Sequence, residues 1–97
     1  MADKQTILAT LKRVKPSLEK KYGVKDLALF GSYSRNTAVA GKSDVDVMVD
    51  FTTPIGLAFV DLADELELLL QQKVDLVSRG GIKPKYFSVI EPDLIYV

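Results

Sequence analysis

The stretch from Asp44 to Phe51 constrains the fold more than any other part of the chain. Val45, Val47 and Val49 fall on one side of it, and Asp44, Asp46, Met48 and Asp50 on the other. Alternation with a period of two belongs to a β-strand, whose successive side chains point to opposite faces of a sheet. A helix would scatter these residues around its circumference and bury carboxylates together with valines. The chain must therefore build a sheet with one face on an apolar core and an acidic segment on the other.

The remaining elements follow from shorter patterns. Leu27-Ala28-Leu29-Phe30 is a continuous apolar run ending at Gly31, which predicts a buried central strand. Val74-Asp75-Leu76-Val77 predicts a third strand and Leu94 to Val97 a last one. Ile7, Leu8, Leu11, Val14 and Leu18 recur at helical spacing, but Pro16 interrupts them. Proline is tolerated in a first turn and not in a helix interior, so the pattern predicts one helix over about 4–14 and a second from Pro16 to a stop at Gly23. Residues 57–71 form the clearest helix, with Phe59, Leu62, Ala63, Leu66, Leu69 and Leu70 as its apolar stripe. Leu57 and Leu68 fall on its acidic side, either as part of a partner surface or as scattered surface leucines. A short helix is expected over Ser32 to Thr37, a loop over 38–43, and turns at Pro54–Gly56 and Gly80-Gly81. A further helix over Lys83–Glu91 is entered through Pro84. This order predicts one α/β (α+β) domain over 1–97, with helices packed on a small mixed sheet of three to four strands.

Composition narrows the chemistry. Thirteen basic and thirteen acidic residues cancel, so a strongly basic nucleic-acid footprint is absent, although a local patch is not. Without cysteine or histidine, thiolates, disulfides and imidazoles play no part, and any catalysis uses carboxylates, Lys, Tyr, hydroxyls or water. The N-terminal segment is amphipathic, and no apolar run approaches the ~20 residues of a membrane span. A cytoplasmic protein is the expectation.

Two features carry candidate chemistry. Asp44 and Asp46, at i and i+2 on a strand, point to one face, and Asp75 lies within an otherwise apolar strand. Clustered carboxylates repel one another and resist burial, and a divalent cation relieves both problems. Magnesium suits such an all-oxygen site. Each residue alone has a plainer explanation: a solvated Asp-x-Asp, or Asp75 paired with a lysine. The second feature is Gly31-Ser32, directly after the buried strand, where a glycine lets the backbone approach a phosphate. Ser32 alone is more simply explained as a helix cap. Gly41-Lys42-Ser43 is not a P-loop, because residue 36 is Asn rather than Gly and the segment leads into a strand.

Together, Leu29-Phe30-Gly31-Ser32-Tyr33-Ser34-Arg35-Asn36 and Ser43-Asp44-Val45-Asp46-Val47-Met48-Val49 resemble the signature of the minimal nucleotidyltransferases, within the DNA polymerase β-like superfamily. The resemblance covers nearly the whole chain. It implies that Gly31 and Ser32 hold the triphosphate of ATP, and that Asp44 and Asp46 bind two Mg2+ ions. It implies further that Asp75 completes the second metal site and helps to deprotonate the acceptor hydroxyl. Arg35 and Ser43 would support the site or touch phosphate. The family commonly has Gly where this chain has Asn36, a residue tolerant of positive φ. The resemblance also implies a partner, a HEPN-domain toxin adenylylated on tyrosine by this chain acting as its antitoxin. Assembly with itself or with another chain stays open. Two other readings compete: an antitoxin that neutralises its partner by contact alone, and a nucleotidyltransferase for small molecules such as an aminoglycoside. The latter would need a second domain to form an acceptor pocket.

Overall fold

Four strands form one mixed sheet: β1 (Val24–Phe30), β2 (Val45–Phe51), β3 (Val74–Ser78) and β4 (Ile95–Tyr96). The structure is a computed structural model and describes residues 3–97. The strand order is β3-β2-β1-β4, with β1 antiparallel to both β2 and β4 and β2 parallel to β3. The parallel pair requires a crossover, which α3 (Ala58–Leu70) supplies. β1 and β2 are the inner strands, and they hold most of the fully buried residues of the sheet.

The valine side of β2 behaves as its pattern requires. Val45, Val47 and Val49 pack with Leu27 and Leu29 of β1 against α1 (Lys4–Tyr22) and α3. Ile7, Leu11 and Leu18 of α1 and Leu62 and Leu66 of α3 are fully buried in that layer. Each contributes on the order of 1.5–3 kcal/mol by leaving water. The two helices are also joined at their outer edge. Glu65 accepts hydrogen bonds from Lys21 Nζ at 2.9 Å and Tyr22 Oη at 2.7 Å. These donors hold the Glu65 carboxyl below its ordinary range, while burial first and Glu65 second push the Tyr22 phenol up.

The opposite face is covered only in part. α4 (Pro84–Ile90) places Ile90 and Phe87 against Ala28 and Phe30 of β1, Met48 of β2 and Val77 of β3. Met48 is therefore buried although it shares its strand face with aspartates. Phe30 of that cluster is the register partner of Asp46, so Asp46 sits partly buried at the cluster's edge.

Three expectations are corrected. Pro16 does not divide the first helix: α1 runs unbroken from Lys4 to Tyr22 with Pro16 inside it. Ile7, Leu11, Val14 and Leu18 keep one phase across the proline, so burying that stripe on the sheet outweighs the lost helical hydrogen bond. Pro16 and Lys12, whose carbonyl loses that bond, are both exposed, so water can satisfy the carbonyl. The cap at Gly23 is as expected, with φ 71° and its N–H donated to Glu19 O. The helix expected over Ser32–Thr37 is shorter and starts earlier, as α2 (Gly31–Ser34). Asp75 is exposed rather than buried, because β3 is the edge strand. The burial falls instead on Asp46, one strand further in.

Candidate active site

The order of the strands brings the predicted residues to one end of the sheet. In the parallel pair Asp46 stands directly opposite Asp75, so both side chains project from the same face on strands ~4.8 Å apart. Asp44 lies just before β2, two residues from Asp46 and therefore on the same side. On the other flank Phe30 is the register partner of Asp46, so the chain leaves β1 at Gly31 beside the Asp46 carboxyl.

Gly31 is the tightest point of the site. It is buried, has φ 75°, and a Cβ placed on it would lie 2.8 Å from Asp46 Cγ and closer still to Oδ2. The backbone conformation disfavours a side chain, and one could enter only by displacing the Asp46 carboxyl. Glycine here brings the α2 backbone directly against a carboxylate.

Asp46 occupies the most strained electrostatic position. Burial, then the charge of Asp75, then that of Asp44 push its carboxyl from 3.8 up to about 6, with Arg35 acting in the opposite sense. Asp44 and Asp75 are exposed and keep freedom of rotation. Among the described residues, no three acidic side chains are drawn closely enough together to hold a metal ion as they stand. The donor chemistry nevertheless fits a divalent cation. All three groups are carboxylates on one face, and the repulsion centred on Asp46 is what a cation relieves. Inward rotation of the two exposed side chains would complete such a site.

The surrounding residues brace the turn. Tyr33 is buried and donates to Gln72 Oε1 at 2.7 Å, tying α2 to the loop before β3. Ser34 Oγ donates to the backbone carbonyl of Asp93, and Arg35 Nη1 donates to Asp93 Oδ2 at 2.6 Å. Ser32 contributes its carbonyl to Thr37 N at 2.9 Å. The Ser43 hydroxyl accepts from Val39 N at 2.8 Å, so Ser43 supports the loop leading into Asp44. Tyr33, Gln72 and Asp93 carried no signal in the sequence, because their roles depend on which loops become neighbours.

Asn36 adopts φ 61°, the left-handed conformation expected where the family commonly has glycine. Asn36→Gly is expected to be neutral or mildly stabilising. Asn36→Val should destabilise the fold by about 1 kcal/mol or more, because a β-branched side chain crowds the backbone there. Urea unfolding of the two variants checks the difference, and an unperturbed Asn36→Val would show that the turn has another way to form.

The four-stranded mixed sheet, with its carboxylates beside a glycine turn, has the fold of the minimal nucleotidyltransferases. The chain belongs to the nucleotidyltransferase domain family, whose model matches residues 11–97. It is 51% identical over 89 residues, covering 90% of each chain, to a Methanocaldococcus jannaschii protein provisionally named a protein adenylyltransferase. A solved structure provisionally described as a minimal nucleotidyltransferase superposes with a TM-score of 0.80 at 30% identity, covering 97% of this chain and 95% of that one. A second, described as a toxin–antitoxin with AMP-PNP, gives a TM-score of 0.60 at 28% identity, over 84% of this chain and 61% of that one. Among the described residues no helix is long and apolar enough to cross a membrane.

Proposed function

We propose that this nucleotidyltransferase moves AMP from ATP to a tyrosine hydroxyl of a HEPN-domain partner toxin, and so acts as its antitoxin. The observation that carries the transfer chemistry is the Asp46–Asp75 pair with the Gly31 backbone packed against Asp46. The similarity to a named protein adenylyltransferase and to a toxin–antitoxin structure with a bound ATP analogue supports the protein acceptor and the pairing. The HEPN identity of the partner and the tyrosine acceptor rest on the resemblance of the motif.

Each residue has a role in this proposal. Asp44 and Asp46 would hold two Mg2+ ions, and Asp75 would complete the second site. When bound, magnesium neutralises the triphosphate and favours departure of pyrophosphate. Gly31 and Ser32 let the triphosphate approach the α2 backbone without a side chain in the way. The acceptor oxygen attacks the α-phosphorus, its proton passes to the Asp75 carboxylate, and the bond from the α-phosphorus to the bridging oxygen breaks. Positioning and charge neutralisation supply most of the acceleration in such a transfer.

A contact-only antitoxin is the second reading, and one observation favours it. Leu57 and Leu68 are 89% and 78% exposed, and Val60, also outward on α3, is 57% exposed. These residues offer an apolar surface to a partner. Catalysis and contact separate by stoichiometry. Partner in tenfold excess over this chain is mixed with ATP and magnesium and weighed by mass spectrometry. An added AMP on most partner molecules, lost with Asp44→Asn, is the expected result. Neutralisation without added mass, and equally by Asp44→Asn, would leave contact alone.

A further inference from the structure

We infer that Asp93 is a positioning residue for nucleotide binding, acting through Arg35 to present a fixed cation to the triphosphate. The inference rests on the nucleotidyl-transfer reading of the site. Asp93 lies at the end of a 3₁₀ turn (Glu91–Asp93) that joins α4 to β4, far in sequence from the signature around Gly31. Two contacts bring it back to that signature. Its carbonyl accepts from Ser34 Oγ, and its carboxylate accepts from Arg35 Nη1 at 2.6 Å. The first contact fixes where Asp93 sits, and the second fixes where the guanidinium sits.

The geometry favours positioning over simple stapling of the surface. The Asp93 side chain is 19% exposed, whereas that of Arg35 is 51% exposed. The carboxylate is thus largely enclosed, while half of the arginine faces solvent. Arginine carries five N–H donors in a planar fork, and the described contacts engage Nη1 alone. The unused donors suit phosphate oxygens, which a guanidinium can bind in pairs. The Arg35 backbone N–H donates to Gly31 O at 3.1 Å, so the guanidinium springs from the same turn that packs against Asp46. A long flexible side chain loses rotamer freedom when it clamps an anion. Asp93 imposes that order before the nucleotide arrives, which is the general basis of preorganisation.

The test is direct binding of ATP with magnesium, measured by isothermal titration calorimetry on the intact chain. The proteins are wild type, Asp93→Asn, Asp93→Ala, Arg35→Ala and the Arg35→Ala/Asp93→Asn double variant. Asp93→Asn keeps the backbone carbonyl that Ser34 uses. Its dissociation constant should rise about tenfold, and that of Asp93→Ala at least as much, while the melting temperature moves little because a half-exposed ion pair adds little stability. Arg35→Ala should weaken binding at least as far, and the double variant no further, since Asp93 acts only through Arg35. Losses that add in the double variant would assign Asp93 a separate structural role and overturn the inference. So would an Asp93→Asn protein that binds ATP as tightly as wild type. Tighter binding would mean that Asp93 withholds Arg35 from phosphate. An inert Arg35→Ala with a wild type that binds ATP defeats this inference and leaves nucleotidyl transfer standing. A wild type that does not bind ATP removes both.

Discussion

Gly31→Ala is expected to lower nucleotidyl transfer at least a hundredfold while costing the fold only about 1–2 kcal/mol. The two effects separate because of what the added methyl group meets. At φ 75° the new residue carries the strain of a left-handed conformation, which glycine does not feel. Its Cβ would lie 2.8 Å from Asp46 Cγ, a distance that cannot persist. The carboxyl of Asp46 is the movable partner, so the worst of the clash resolves by rotating Asp46 out of place, while its Cβ, 3.1 Å from the new methyl, must yield slightly with the backbone. Asp46 is only partly buried, so displacing its carboxyl costs limited stability. The same movement dismantles the site, where displacements of about 1 Å are enough to cost two orders of magnitude. Urea unfolding and a transfer assay on one preparation measure both quantities. The Gly31→Ala/Asp46→Ala double variant should be less destabilised than the sum of the single changes, because removing the carboxyl makes room for the methyl. A fully active Gly31→Ala protein would show that Asp46 does not need its present position.

The sequence carried the local half of this site and not its spatial half. The alternation through Asp44–Phe51 was enough to put the valines on the core and the aspartates on the other face. Asn36 was legible as a positive-φ residue because the family it resembles commonly has glycine there and asparagine tolerates that conformation. One missed expectation and one feature that no pattern announced share a cause. Asp75 sits in an apolar run, which suggested burial, but the exposure of a strand is set by its rank in the sheet, and β3 is at the edge. Met48 shares the aspartate face by period, yet α4 covers it, because an element nearly forty residues later folds over that end of the sheet. Pro16 shows the same competition in a helix. A local rule predicted a break, and a stripe of Ile7, Leu11, Val14 and Leu18 in one phase overrode it. Periodicity was the better guide there because burial of the stripe exceeds the ~3 kcal/mol that an internal proline costs. The residues that brace α2, Gln72 and Asp93, come from loops whose neighbours no pattern in the chain announces.

Asp46→Asn should abolish transfer and at the same time stabilise the metal-free protein at neutral pH. The sign follows from the electrostatics of the site. Burial and the charges of Asp75 and Asp44 raise the Asp46 carboxyl from 3.8 to about 6 in the folded state. An acid with a raised folded-state pKa is held ionised against its preference above that value. Below pH ~4 Asp46 is protonated in both folded and unfolded chains, and its ionisation has no effect on stability. Between pH ~4 and ~6 the folded state holds the proton that the unfolded state has released, and stability falls as pH rises. Above pH ~6 the loss is complete. Asparagine cannot ionise, so the advantage of Asp46→Asn should grow across this window and level off above it. Because Asp46 is partly exposed, solvent screening reduces the effect to about 1 kcal/mol. Thermal melts in a chelator at pH 4 and pH 7.5 give the comparison: near coincidence at the lower pH, and a higher melting temperature for Asp46→Asn at the upper. Magnesium with ATP should reverse the order at pH 7.5, since it stabilises only the protein that binds it. A variant less stable than wild type in the chelator at neutral pH would mean that Asp46 makes a favourable contact as an anion. The repulsion that marks this carboxyl out for a cation would then be absent.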